Sequence, residues 1–419
     1  MTTVFLIGCF ISALIMLAVL LVRPEYILFL YGLSLGFPDI AANVGGIINV
    51  RGDDILIILL FIRILLTIKP LYVTESQKKI IIIYFIFLSY CLLSGALIVI
   101  FGGKVDSYVL LRDMGGGITF LVLLFSVDSE KFFRFFLCGL LFAGLAIGFQ
   151  VSQHFNEIAM DALTSSVQIK EAAAFTSWNP NTIGEFGILF SFSSAIAWYM
   201  SPAHKYQKLF WLLMTISFIS LPMVTFARGA TISLLCGWTL FLILMRKWKV
   251  ILCAILAGGL LFVAWYQNFG DIITAAFDID LKTGKGFSSR YDLWNVALNL
   301  ISQNPFIGHG YGQETRMFVL TYGRGMSHNA YLSILVELGL FGLMILAWQI
   351  FNYYYSAIRL LNNHKTNIGS CFVFAFMTTI CIDSLSGSGL YGAKYITLLF
   401  AIITIFIGFL EKNSNPVRV

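Results

Sequence analysis

Apolar residues run along this chain in long unbroken stretches, separated by short polar punctuation. Residues 4–22 hold no charged side chain, and Arg23-Pro24-Glu25 interrupts them before the next run begins. Runs of roughly 17 or more apolar residues can cross a bilayer as helices. A transmembrane strand would need apolar and polar positions to alternate, and here the runs are continuous. The pattern predicts thirteen spans: 4–22, 26–40, 54–68, 80–101, 107–126, 132–152, 182–200, 208–226, 229–246, 249–266, 330–354, 367–385 and 393–410. The fold class expected is an all-α polytopic membrane protein with about 12–14 transmembrane helices.

No internal repeat or low-complexity run divides the chain, so residues 1–419 read as one membrane domain. Two stretches are long for connectors: 153–181, and a large exterior loop, 267–329, predicted to carry short amphipathic helices and function. No small-residue cleavage site follows residues 4–22, so that segment reads as a span rather than a cleavable signal.

Composition sharpens this picture. The 419 residues are 59% hydrophobic and 11% charged, with a mean hydropathy of +0.87, which excludes an ordinary soluble domain. The net charge of +6 is spread over many loops and fits membrane topology better than nucleic-acid binding. Sixteen of the 27 Lys and Arg residues fall in one set of alternate short loops, among them Arg23, Lys78, Lys79, Lys131, Arg134, Arg359 and Lys412. The positive-inside rule makes that set cytoplasmic. The C-terminus is then inside and 267–329 outside; an odd span count puts the N-terminus outside too. Seven cysteines lie in apolar spans, with no CxxC and no Cys/His cluster, so they read as small buried hydrophobes and no metal is expected.

Against this background a few polar residues stand out. Arg228, in Thr225-Phe226-Ala227-Arg228-Gly229, sits at the outer membrane edge with almost no loop around it. A charge there is costly unless it has a task, and a guanidinium fork matches phosphate oxygens. The plain alternative is a snorkelling anchor. Arg290 follows Ser288-Ser289, with Ser289 a plausible N-cap, and Leu293, Trp294, Ala297, Leu298 and Ile301 form one helical face behind it. A helix N-terminus with an arginine suits an anion. His328, in Met326-Ser327-His328-Asn329-Ala330, stands where the large loop enters an apolar helix and can take a proton near neutral pH. The plain alternative is a helix-capping histidine.

Weaker candidates surround these. His309 lies in Ile307-Gly308-His309-Gly310-Tyr311-Gly312 as a second acid or base, or only as a loop residue. Arg112 pairs with Asp113 or joins the anion site. Asn181, in Asn179-Pro180-Asn181, caps the span that follows and can line the site, with Glu185 one turn on. Glu337 reads as a partner for a buried arginine rather than as chemistry, and Asp383 is similar.

These residues also carry a resemblance. His328-Asn329, nine residues and then Gly339-Leu340-Phe341-Gly342 resembles the His-Asn…Gly-x-x-Gly signature of the O-antigen polymerase and O-antigen ligase superfamily of bacterial membrane glycosyltransferases. Ser289-Arg290 through Trp294, and Pro305 to Gly310, are similar to the stretch preceding that signature. Ala227-Arg228-Gly229 and Asn179-Pro180-Asn181 resemble two further steps of the family. The match is specific across about 225–342 and otherwise topological. It implies an outward-facing site in the inner membrane and an undecaprenyl-diphosphate-linked oligosaccharide donor. It also implies transfer with inversion, without metal or cofactor. Arg228 and Arg290 would hold the diphosphate, His328 would activate the acceptor hydroxyl, and Asn329, Arg112, His309 and Asn181 would line the substrate.

The acceptor would be a second lipid-linked repeat unit in a polymerase, the favoured reading, or lipid A–core in a ligase. Membrane lipid and a chain-length regulator protein are the other partners implied. A transporter or flippase, the rival from another class, would place ionisable groups near the midplane on broken helices with internal symmetry. Here they gather at the outer edge.

Overall fold

The computed structural model describes residues 23–36, 41–44, 48–67, 73–100, 107–153, 180–201, 204–225, 227–250, 252, 287–322, 326–362, 366–386 and 393–414. The expected first span, 4–22, and nearly all of the tenth, 249–266, lie outside them. In chain order the elements are α1 (Pro24–Ser34), β1 (Ala41–Val44), β2 (Ile48–Arg51), α2 (Gly52–Thr67), α3 (Glu75–Ile100), α4 (Ser107–Ser126), α5 (Glu130–Gln153), α6 (Pro180–Met200), α7 (Lys205–Val224), α8 (Arg228–Leu244), α9 (Phe287–Gln303), α10 (Glu314–Tyr322), α11 (Ala330–Leu361), α12 (Asn367–Asp383) and α13 (Ala393–Ser414).

Six stretches among the described residues are long and apolar enough to cross a membrane: α3, α5, α7, α11, Thr182–Met200 of α6 and Thr397–Ser414 of α13. Gly115–Ser126 of α4, α8 and α12 are shorter apolar helices. The protein is an all-α polytopic membrane protein, because a spanning helix satisfies its own backbone where no water can. One element is new. The run expected as a span over 26–40 stays helical only to Ser34, and β1 then pairs antiparallel with β2, Ala41 opposite Arg51 and Val44 opposite Ile48. Asn43 and Asn49 break the apolar run there and stand opposite each other across the two strands.

Burial separates central from peripheral helices. The spans of α6 and α13 are 83% and 78% buried, so they form the middle of the bundle; α7 and α3, at 28% and 33%, turn most of their apolar surface outward as lipid-facing helices do. Around α6, Phe192 stacks on Trp238 of α8 at 5.0 Å and on Phe376 of α12 at 4.5 Å. Close approach at small residues draws the helices together. A Cβ built on Gly32 of α1 would stand 2.8 Å from the Phe136 carbonyl oxygen of α5.

The two ends of the bundle differ. At one, Arg359 near the end of α11 pairs with Glu411 of α13, and Ser76 at the start of α3 donates to the same carboxylate at 2.7 Å. At the other gather the starts of α8 and α11 and the turn that ends α12.

Candidate functional site

The helix that carries the histidine is broken and then mended by the loop before it. Inside α11, Gly339 takes φ 64° and ψ −163°, a conformation open in practice only to glycine. The break frees backbone groups on both sides. His309 N–H donates to the Val336 carbonyl and Gly310 N–H to that of Glu337, both at 2.8 Å. In return Leu340 N–H donates to Pro305 at 2.9 Å and Phe341 N–H to Phe306 at 3.2 Å. Tyr90 OH donates to the carbonyl of Leu338. Irregular backbone is tolerated at such depth only when protein satisfies it. The fit is close on both sides. A Cβ on Gly308 would overlap the backbone of Glu337, and one on Gly339 would overlap that of Phe306.

His309 belongs to this clasp. Its Nε2 stands 2.8 Å from the carbonyl of Leu300, which can only accept, so Nε2 carries the proton and Nδ1 accepts from Asn304 at 3.3 Å. It thereby satisfies a carbonyl in the last turn of α9.

His328 stands between two pinned residues. Ser327 is fully buried: its N–H donates to Glu314, its carbonyl accepts Trp294 Nε1–H at 3.1 Å, and its hydroxyl meets that of Ser333 at 3.0 Å. Asn329, not His328, is the N-cap of α11. Its Oδ1 accepts from the amides of Tyr331 and Leu332, and its Nδ2 donates to the Leu385 carbonyl at 3.2 Å. Relieved of capping, His328 is exposed and adopts a left-handed φ of 51°. Non-glycine residues hold that conformation only where their surroundings impose it, and such positions cluster at functional sites.

The arginines reach the same end of the bundle by separate routes. Ala330 N–H donates to the Ser384 carbonyl at 2.9 Å, which joins the start of α11 to the turn after α12. Two residues on, Ser386 lies so close to Gly229 that a Cβ there would collide with its hydroxyl. Arg228, exposed, opens α8 beside it. Gly184 of α6 packs against Ala227 and Ala230 around the same helix start. Arg290 is half-buried in the first turn of α9, one turn before Trp294, whose indole reaches Ser327. Burial first, and then the charge of Arg228, holds the Arg290 guanidinium below its usual range. The two arginines therefore feel one another, and an anion between them relieves that repulsion.

α9 differs from its expected form in two ways. It starts at Phe287, so Ser289 lies within the helix rather than capping it. Its buried stripe is Ala297 and Leu300 packed with Phe318 of α10 and Val336 of α11, while Leu298 is 55% exposed. The stripe faces α11, which rotates the inward face away from Leu298.

The structure thus brings together Arg228, Arg290, His328 and Asn329. The side chains of Arg112 and Asn181 lie outside the described residues, although their backbones are in α4 and α6. Glu185 of α6 and Asp383 of α12 lie within reach of each other's charge. Sequence reasoning missed Ser327 and Glu314, and the duty of Glu337, which holds the amides of Gly312 and Glu314. Only the polarity of Glu337 in an apolar run hinted at it. Among the described residues no group of three or more His, Cys, Asp or Glu could hold a metal ion.

The fold is that of a helical membrane protein with these polar residues at one end of its bundle. Residues 212–347 match the family model described as O-antigen ligase. The chain is also 33% identical over 102 residues to an O-antigen ligase of Pseudomonas aeruginosa, a stretch that covers 24% of this chain and 22% of that protein. The chain therefore aligns with about a fifth of that relative's length. Arg228, Arg290, His328, Asn329 and Gly339 all fall inside residues 212–347, the part of the chain that matches that family model.

Proposed function

We propose that this protein is a glycosyltransferase of a bacterial inner membrane. It joins undecaprenyl-diphosphate-linked repeat units into a surface polysaccharide on the periplasmic face. The observation that supports the reading is the set of contacts that brings the starts of α8, α9 and α11 to one end of the bundle: Trp294 on Ser327, Ala330 on Ser384 and Gly229 against Ser386. Two guanidinium groups receive the donor diphosphate and stabilise its growing charge as it departs, without a metal. His328 accepts the proton of the acceptor hydroxyl as that oxygen attacks the anomeric carbon from the face opposite the diphosphate. The bond from that carbon to the diphosphate oxygen breaks, and the configuration inverts. Asn329 fixes the height of His328 through the cap, and Arg112 and Asn181 border the glycan. His309 serves the frame of the site.

In this reading residues 1–419 form one membrane domain with a cytoplasmic C-terminus. The loops 153–181 and 267–329 face the periplasm, and a chain-length regulator meets the protein there. A second reading, ligation of the glycan to lipid A–core, is favoured by the description of the matching family and by the name of the relative. The two share donor chemistry and differ in acceptor. Lipopolysaccharide from a deletion strain separates them on a gel. Core capped with a single repeat unit supports the polymerase. Bare core with accumulated lipid-linked polymer supports the ligase. A normal ladder rejects both for O-antigen and points to capsule or exopolysaccharide.

A further inference from the structure

Two buried carboxylates lie in series behind the histidine loop. Glu337, 3% exposed and one half-turn before the break at Gly339, accepts the Gly312 amide on Oε2 and the Glu314 amide on Oε1, each at 2.8 Å. Glu314, 5% exposed, is the first residue of α10, where backbone amides lack helical partners. Its own Oε1 accepts the amide of Ser327 at 2.9 Å. Ser327 is the residue before His328, and its carbonyl and hydroxyl are both engaged. A continuous path of hydrogen bonds thus runs from the broken helix through α10 to the residue that precedes the left-handed histidine.

Neither carboxylate is needed where it stands for a helix to form. A Ser or Asp preceding α10 would cap it locally. Burying a carboxylate is costly, and that cost is met here by backbone amides drawn from two separate loops. The broken geometry at Gly339 and the clasp of Pro305–Gly310 bring the Gly312–Glu314 turn within reach of Glu337. What the path fixes is the position of Ser327, and through it the backbone of His328.

We propose that Glu337 and Glu314 are positioning residues that act through Ser327 to hold His328 at its working depth and orientation. The inference rests on the reading of His328 as the base. The two carboxylates carry different requirements. Glu337 serves two donors, one on each oxygen, so glutamine would turn an NH₂ group against an amide N–H. Glu314 serves Ser327 with one oxygen, and glutamine keeps that acceptor.

The test uses the full-length protein purified in detergent with a lipid-linked donor and acceptor. It compares kcat, donor KM and the thermal midpoint for E337Q, E314A, E314Q and H328A. We expect E337Q and E314A to lower kcat roughly 10- to 100-fold, the scale of a small misplacement of a reacting group. Donor KM should stay within about twofold, because the donor is held by the arginines. E314Q should recover most of the rate lost in E314A, which a role confined to charge would not produce. If E337Q does not fold, the contrast between E314A and E314Q decides alone. Wild-type kcat in E314A, or equal losses in E314A and E314Q, would overturn the relay. So would a fall in activity that only tracks the fraction of folded protein. Turnover by H328A at the wild-type rate would instead remove the base from the mechanism. An inactive H328A beside fully active E337Q and E314A sinks the relay alone.

Discussion

Adding a methyl group at either half of the clasp should unmake the site from a distance. The change is Gly339→Ala, with Gly308→Ala as its counterpart. Gly339 holds φ 64° and ψ −163°, and a residue with a Cβ forced into a glycine-only region costs on the order of 1–3 kcal/mol. The new Cβ also has no space: it would overlap the Phe306 carbonyl and stand 2.6 Å from the Gly308 nitrogen. Overpacking adds about 1–3 kcal/mol. Together the cost is roughly 2–6 kcal/mol, a large share of the about 5–15 kcal/mol that typically holds a protein folded. The chain can escape by letting the Pro305–Gly310 loop withdraw. That forfeits the four backbone bonds exchanged across the break and loosens the Gly312–Glu314 turn attached to Glu337. The expected outcome is a lower thermal midpoint in detergent, together with a loss of polymer in cells that exceeds the loss of protein. Gly308→Ala meets the same contact from the other side, so the double variant should cost less than the sum of the two. Wild-type midpoint and wild-type polymer in either single variant would show that the clasp does not hold the site.

Four further outcomes follow from the site. His328→Ala should reduce transfer by about 10²–10⁴-fold with donor binding near normal, and wild-type polymer length in that variant would refute its role. Arg228→Lys and Arg290→Lys should each bind donor poorly, because an ammonium cannot reproduce a bidentate contact; full turnover in both contradicts the clamp. Asn329→Ala, which removes the acceptor for the amides of Tyr331 and Leu332, should cost roughly 0.5–2 kcal/mol of stability, with Asn329→Ser closer to wild type, as read by thermal melting. A chelator should leave transfer in vitro unchanged, and activity lost to EDTA and restored by Mg²⁺ would require another account of the leaving group.

The sequence by itself determined the class. Apolar runs of spanning length can hide their backbone from lipid only as helices, so composition and periodicity were enough to read a helical membrane protein. It also singled out Arg228 as a charge at the membrane edge, Arg290 at a helix start in the exterior loop, and His328 where that loop enters an apolar helix. It could not show how these residues meet. Arg228, Arg290 and His328 lie on three different elements, and their approach depends on Trp294 reaching Ser327, on Ser384 receiving the Ala330 amide, and on Ser386 packing against Gly229. Such contacts join residues tens to more than a hundred positions apart and leave no periodic trace.

Tertiary structure likewise decided which residue caps α11. A capping role read from the sequence fell to His328, and the structure gives it to Asn329, whose side chain accepts the amides of Tyr331 and Leu332. The rotation of α9 away from Leu298 was illegible for a related reason: packing against α10 and α11 decides which face turns inward. Glu337 is the clearest case. One carboxylate in an apolar helix is consistent with many partners, and only the break at Gly339, which brings the loop before it alongside, shows that its partners include the amide of Glu314, whose own carboxylate holds the histidine's neighbour.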